Sequence, residues 1–311
     1  MIEVPVAIDI TRGLTPNLLT DGGLRRSVNV YPKKDQLVSV LGVDVVWNAA
    51  TNVGYSERHL GDADLWPWPQ LVRLGKFLYV CYPTSISIVR PYGIELLLDN
   101  IPSRGYPWGA TIVGEFPVFV NNYMVVHPSF VGPLATRVKD IPYDGLMVQS
   151  GSFPNCRDVC EFNGQFIVAA PWMYAKLHHD HVAWSAPGQV DFTLDTESSA
   201  GYKFVQGCGS ILRVLATDKG FNAYGTHGVA SFKAVGFPAS YSHEQIGLVG
   251  LHNQRAAVAG KDFQMFVGTD HRLYLVTETI KLLDYQYIFE EAVGDIVLHY
   301  DEEEGLVYAS F

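Results

Sequence analysis

The chain is poor in charge: Asp, Glu, Lys and Arg make up 17% of its 311 residues, against roughly 25% in an average soluble domain. Basic residues are the scarcer kind, 22 against 32 acids for a net charge of -10, and they form no block longer than the pairs Arg25-Arg26 and Lys33-Lys34. A surface that grips nucleic acid needs clustered cations to displace phosphate counterions, so tight DNA or RNA binding is not expected. Cysteine is scarce too. Cys81, Cys156, Cys160 and Cys208 are too few for a disulfide scaffold, and the nearest pair encloses three residues, Arg157 to Val159, so reduced thiols are expected. No stretch approaches the ~18 apolar residues of a membrane span, and the opening MIEVPVAIDI lacks the basic start and unbroken apolar run of a secretion signal. The chain therefore reads as soluble and unsecreted, with no membrane insertion. Long helical patterns are missing as well; QYIFEEAVG at 286–294 is the nearest to a helical turn or two.

What is abundant points one way. Hydrophobic residues reach 48%, aromatics 13%, and there are 29 glycines and 17 prolines. Strand formers and turn formers together predict an all-β protein.

Similar phrases recur, each a glycine turn followed by apolar strands: GKFLYVCYPTSISIV from Gly75, GEFPVFVNNYMVV from Gly114, GQFIVAAP from Gly164, GFNAYGTHGVASF from Gly220, GKDFQMFVGTDHRLYLV from Gly260 and GLVYASF from Gly305. Successive starts are 39, 50, 56, 40 and 45 residues apart, close to the ~40–50 residues of a four-stranded propeller blade. Short turns at 83–85, 121–122, 225–227 and 268–270 split most phrases into hairpins. The expected fold is a β-propeller of about six blades closed by N- and C-terminal strands. It spans 1–311 as a single domain, with 1–26 as an N-terminal arm and 27–50, SVNVYPKKDQLVSVLGVDVVW at its heart, completing the last blade. A β-sandwich or stacked barrels made from glycine-led hairpins is the alternative.

Chemistry has few footholds. KLHHDH at 176–181 groups His178, His179, Asp180 and His181, a normal ligand set for zinc or another divalent ion, but no HExxH and no second cluster accompany it. A solvated hairpin tip is the simpler reading. Ser185 in WSAPG reads as a turn residue, since no Gly-x-Ser-x-Gly elbow exists. Asp191, Asp195, Glu197 and Asp218 are the carboxylates a propeller glycosidase would need in one pocket, and the Ser-x-Asp-x-Gly-x-Thr-Trp box of sialidase-like propellers is absent. Asp301–Glu304 and the GTDH around Asp270 read as turns. LWPWPQ at 65–70, with Trp66 and Trp68, and RGYPWGA at 104–110 are candidate subunit contacts, with packing inside a blade as the alternative. No catalytic, cofactor-binding or metal-binding residue is assigned, no cofactor is expected, and the chain reads as a non-enzyme.

RRSVNVYPKKDQLVSVLG at 25–42 resembles the entry of short-tailed bacteriophage tail hub proteins, also called nozzle or packaged-DNA stabilisation proteins. HVAWSAPGQVDFT at 181–193 is similar to a blade motif of the same family, and AGYKFVQGCGSILRVLATDKGFNAYGTHGVASF and GLVGLHNQRAAVAGKDFQMFVGTDHRLYLV follow its alternation of strand, glycine turn and strand. The likeness covers 20–50 and 155–285. It implies a structural virion protein in the tail, assembled in the host bacterial cytoplasm. Copies of the chain would form a cyclic ring, commonly a hexamer, below the portal and adaptor, contacting the adaptor or connector and other tail proteins. The ring would retain packaged genomic DNA and conduct it during ejection without specific binding, past a lumen expected to carry carboxylates, and it implies no catalysis. The alternatives are a propeller module that binds carbohydrate or a host surface, and a propeller glycosidase.

Overall fold

A computed structural model describes residues 3–6, 30–33, 36–39, 70–128, 146–148 and 153–310, with gaps at 76, 83–84, 91–92, 100, 102–106, 114–115, 122–123, 195–198, 237–239, 284–288, 291, 293 and 303–304. The described residues are strand, turn and loop with a single helical turn at Phe289, where Ala292 N–H donates to the Phe289 carbonyl at 3.0 Å. The all-β expectation holds.

β1 (Glu3–Val6) opens the chain, followed by a hairpin of β2 (Val30–Lys33) and β3 (Gln36–Ser39). The first sheet contains β4 (Gln70–Leu74), β5 (Phe77–Cys81), β6 (Ile86–Arg90) and β7 (Gly93–Leu98), and the second β8 (Gly109–Val113), β9 (Phe116–Asn121), β10 (Met124–Pro128) and β11 (Leu146–Val148). The third contains β12 (Asp158–Phe162) and β13 (Gln165–Ala169), then, after a side hairpin of β14 (Trp172–Met173) and β15 (Lys176–Leu177), β16 (His181–Trp184) and β17 (Gly201–Phe204). The fourth runs through β18 (Ile211–Ala216), β19 (Gly220–Gly225), β20 (Val229–Gly236) and β21 (Ser240–Gly247), and the fifth through β22 (Ala257–Ala259), β23 (Gln264–Val267), β24 (Leu273–Val276) and β25 (Ile280–Leu282). All five are antiparallel meanders. A last sheet pairs β26 (Val297–Asp301) with β27 (Leu306–Ser310), and β27 with β1.

The glycine repeat is real, but its phase is one strand late. Gly75, Gly164, Gly220, Gly260 and Gly305 each fall at the junction of the first and second strands of their sheet, not at the start of a unit; Gly114 lies outside the described residues. The Asn163-Gly164 turn shows why such residues recur. Phe162 pairs with Gln165 across it, and its two central residues take φ of 51° and 74°, the positive pair that a two-residue hairpin needs to follow strand twist.

The strand that joins the C-terminal one is Glu3–Val6, paired from Glu3 with Ser310 to Val6 with Val307. Val30–Lys33 and Gln36–Ser39 pair with each other as a hairpin. The chain divides into two compact units, Asn52–Gly250 and Met1–Thr51 with Leu251–Phe311.

Within Asn52–Gly250, period-two alternation gives the second and third sheets two apolar faces. Phe119 and Val126 of the second sheet pack with Tyr79, Ile86 and Ile88 of the first, whereas Val118, Val120 and Val125 pack with Phe166, Val168 and Ala183 of the third. The third sheet turns Ile167, Ala169, Val182 and Trp184 toward Phe221, Ala223, Ala230 and Phe232 of the fourth. Four sheets thus stack in chain order. Tyr241 sits edge-on to both Phe221 and Trp184 at 5.1 Å, and such ring pairs add about 0.5–1.5 kcal/mol each beyond burial.

First strands of successive sheets lie side by side, β4 with β8, β8 with β12, and β12 with β18. Polar side chains at their starts tie them together. Gln70, opening β4, donates from Nε2 to the Trp108 carbonyl at 2.7 Å and accepts the Trp108 N–H at 3.0 Å. Asp158, opening β12, is buried and accepts the Val214 N–H of β18 at 2.9 Å. In the other unit, β22 lies beside β26 and Leu298 N–H donates to the Arg255 carbonyl at 3.0 Å.

Candidate functional site

The HHDH run is a turn between β15 and β16, and its backbone is fixed rather than free. His178 N–H donates to the Pro171 carbonyl at 3.0 Å, the Asp180 carbonyl accepts Val205 N–H at 2.8 Å, and the His179 carbonyl accepts Ile211 N–H at 2.7 Å. The turn therefore holds the chain where it passes from the third sheet to the fourth. Of its side chains His178, Asp180 and His181 meet neighbours, while His179 is exposed.

His181 Nδ1 lies 2.6 Å from Asp180 Oδ1. The His181 ring stacks on Tyr202, with centroids 5.8 Å apart and planes at 27°, and tilts against Phe204 at 5.6 Å. His178 meets His181 edge-on at 4.8 Å and Tyr202 at 6.3 Å, and Tyr174 reaches Tyr202 at 6.1 Å. Strand register explains the grouping: His181 is opposite Phe204 and Ala183 opposite Tyr202, and residues opposite one another share a face.

Tyr174 is 66% exposed, Phe204 50% and Tyr202 41%, whereas the His181 side chain is 18% exposed. Tyr174 also sits in an unusual backbone: it and Ala175 form the two-residue turn between β14 and β15 with φ of 53° and 59°. Glycine or asparagine adopts that conformation at little cost, while other residues are held there against roughly 1–3 kcal/mol each.

Among the described residues, no group of three or more His, Cys, Asp and Glu comes together as a metal set. His178, His179, Asp180 and His181 contribute a His–Asp pair. Ser185 is buried, its Oγ accepting the Phe166 N–H at 3.0 Å and donating to the Ala186 carbonyl at 3.1 Å; that is a turn residue's role. Asp191 accepts both the hydroxyl and the N–H of Thr193, and these bonds hold its carboxyl below the usual range. Asp218 lies in the β18–β19 turn of a different sheet, and Asp195 and Glu197 lie outside the described residues.

Asp301 accepts the Gly305 N–H through its carbonyl at 2.9 Å, and Asp270 accepts the Tyr274 hydroxyl; both serve turns. Asp270 and burial raise the Tyr274 phenol to about 12, burial being the larger cause. Trp108 of RGYPWGA is core, donating from Nε1 to the Tyr82 carbonyl at 3.0 Å, so packing wins over contact there. Trp66 and Trp68 lie outside the described residues.

All four cysteines are free and buried. Burial pushes their thiols up, Cys208 to about 11 and the others further, with the Asp158 charge adding to Cys156 and Cys160. Such thiols are poor nucleophiles.

The aromatic face escaped sequence reading because Tyr174, His178, His181, Tyr202 and Phe204 come from two strands and two turns. Only GYKF, two aromatics alternating with a lysine beside a glycine, marks it locally.

No family model and no curated protein sequence matches the chain. Among solved structures it is similar to a quinonprotein alcohol dehydrogenase-like protein from Bacteroides thetaiotaomicron, at 12% identity over 78% of this chain with a TM-score of 0.46. The match spans 59% of that protein's length. It is also similar to human WBSCR16, at 8% identity over 76% of this chain and 69% of the other with a TM-score of 0.43. The N-terminal domain of Nup159 is matched at 11% identity over 77% of this chain and 74% of the other, TM-score 0.40. At these levels none of them assigns an activity to this chain.

Proposed function

We propose that the chain is a six-bladed β-propeller and a structural virion protein of a short-tailed phage, part of the hub or nozzle that holds and conducts the genome. In this reading the three-stranded sheet of β26, β27 and β1 is the sixth blade, closed by both chain ends. The observation that carries it is the stacking of consecutive four-stranded meanders with their first strands side by side, the arrangement a propeller requires, in a chain whose motif HVAWSAPGQVDFT resembles the hub family. That motif occupies the third strand of the third sheet and the turn after it. A propeller of this kind acts through the surfaces its loops build, on copies of itself, on an adaptor or connector and on neighbouring tail proteins. Sparse, unclustered cations let passing DNA move without being held.

Mass photometry of the purified chain, alone and mixed with a portal–adaptor complex from a short-tailed phage, tests the assignment. The expected result is a closed multiple of the 34.5 kDa chain, formed alone or on the adaptor. A species that stays at one chain's mass in both conditions contradicts it.

A further inference from the structure

We infer that the face built by Tyr174, Tyr202, His181 and Phe204 on the third sheet is a binding platform for a saccharide chain made of pyranose rings. The inference does not depend on ring assembly.

Three observations point to that ligand chemistry. The rings form a continuous run, with successive centroids 6.1, 5.8 and 5.6 Å apart from Tyr174 through Tyr202 and His181 to Phe204. An aromatic face is electron-rich and attracts the polarised C–H face of a sugar; a run of several rings suits an oligosaccharide better than one sugar unit. Next, the centre of the run is polar. The His181–Asp180 pair lies among the rings with the Asp180 side chain 45% exposed. Charged groups are depleted from the core of a protein-docking patch, whereas hydroxyls bordering a sugar ring need a carboxylate and an imidazole to meet them.

The backbone adds the third observation. Tyr174 is kept at the tip of a two-residue turn at φ 53°, with most of its side chain in solvent. Packing therefore does not account for a tyrosine at a position that suits glycine. Placement of its ring beside Tyr202 does.

The test uses the full chain on a printed array of bacterial capsular and O-antigen polysaccharides together with maltohexaose and chitohexaose. Tyr174→Gly removes one ring and suits the positive φ of the turn, and Tyr202→Ala removes the central ring; the fold of both is checked by circular dichroism. Leu248→Ala, exposed and in the loop after the fourth sheet, is the control. Retention of at least one pyranose glycan, weakened at least tenfold by Tyr174→Gly and by Tyr202→Ala but not by Leu248→Ala, supports the platform. No retained glycan, or retention indifferent to both tyrosine variants, overturns it. So does a change in oligomeric state with Tyr202→Ala and no glycan binding, which would make the face a contact between copies.

Discussion

Replacing Asp158 by alanine should be among the most damaging single polar substitutions in the chain. The carboxylate is buried and accepts the Val214 N–H at 2.9 Å, so its loss strands a donor between two first strands where water does not reach. A hydrogen bond to a charged group is worth about 1.5–3 kcal/mol, and an unsatisfied buried donor costs a similar amount; roughly 2–3 kcal/mol of destabilisation follows. With a urea slope of about 3 kcal/mol/M, the midpoint should fall by roughly 1 M. Asp158→Asn keeps an acceptor and should cost only about 1 kcal/mol. A partner substitution sharpens the test. A Cβ on Gly109 would lie 2.2 Å from Asp158 Oδ1 and 2.8 Å from its Cα, so Gly109→Ala is damaging when Asp158 is present and less so when it is alanine. Urea titrations followed by tryptophan fluorescence on the two single variants and the double should give a coupling of at least about 1 kcal/mol. If Asp158→Ala stays within about 0.5 kcal/mol of wild type, as an ordinary surface change does, the tie between first strands has no energetic weight and the reasoning fails.

Other consequences are separable. Gly164→Ala meets nothing closer than 3.7 Å but must hold φ 74°, so urea melts should show a loss of only about 1 kcal/mol, whereas Gly220→Ala places Cβ 1.8 Å from the Phe232 carbonyl oxygen and should prevent normal folding; equal effects would contradict the packing. A thiol reagent should label no cysteine in the native chain at neutral pH and four after guanidinium, and a fast-reacting native thiol would refute the burial of that site. Burial, then the neighbouring His271, holds the His252 imidazole below its usual pKa against the pull of Asp295. Its folded value therefore lies below the unfolded value of about 6.5, unfolding takes up a proton, and the stability it contributes is complete above about pH 6.5 and declines as pH falls toward the folded value. Urea midpoints at pH 7.5 and 5.5 should converge in His252→Gln relative to wild type; an unchanged difference would show that other groups set the slope.

The strand content and the repeat were legible because the same physical need recurs in each sheet: a tight first hairpin takes a glycine or Asn-Gly, and the strand after it, such as QFIVA or GFNAYG, is buried on both faces and therefore continuously apolar. The first strands carried no such mark. QLVRL mixes exposed, half-buried and buried positions and ILRVLA half-buried and buried ones, so the glycine phrase marks the second strand of each sheet. Glu3–Val6 is four residues, and its place is set by pairing with a strand about 300 residues away, information that local pattern does not contain. HHDH looked like the chemical feature, yet what gives it neighbours is the β16–β17 register, which brings Tyr202 and Phe204 onto its face. Ser185 and Asp191 bond backbone and side-chain groups near the end of β16 and the turn after it, Ser185 the Phe166 N–H and Ala186 carbonyl and Asp191 the N–H and hydroxyl of Thr193.

Class averages from electron micrographs of the purified chain, alone and mixed with a portal–adaptor complex from a short-tailed phage, test the proposed ring. The expected result is a cyclic assembly around an open central passage, each subunit showing a disc of radiating blades. A lone disc that never joins a ring, or a subunit with two sheets facing each other and no radial repeat, would contradict it.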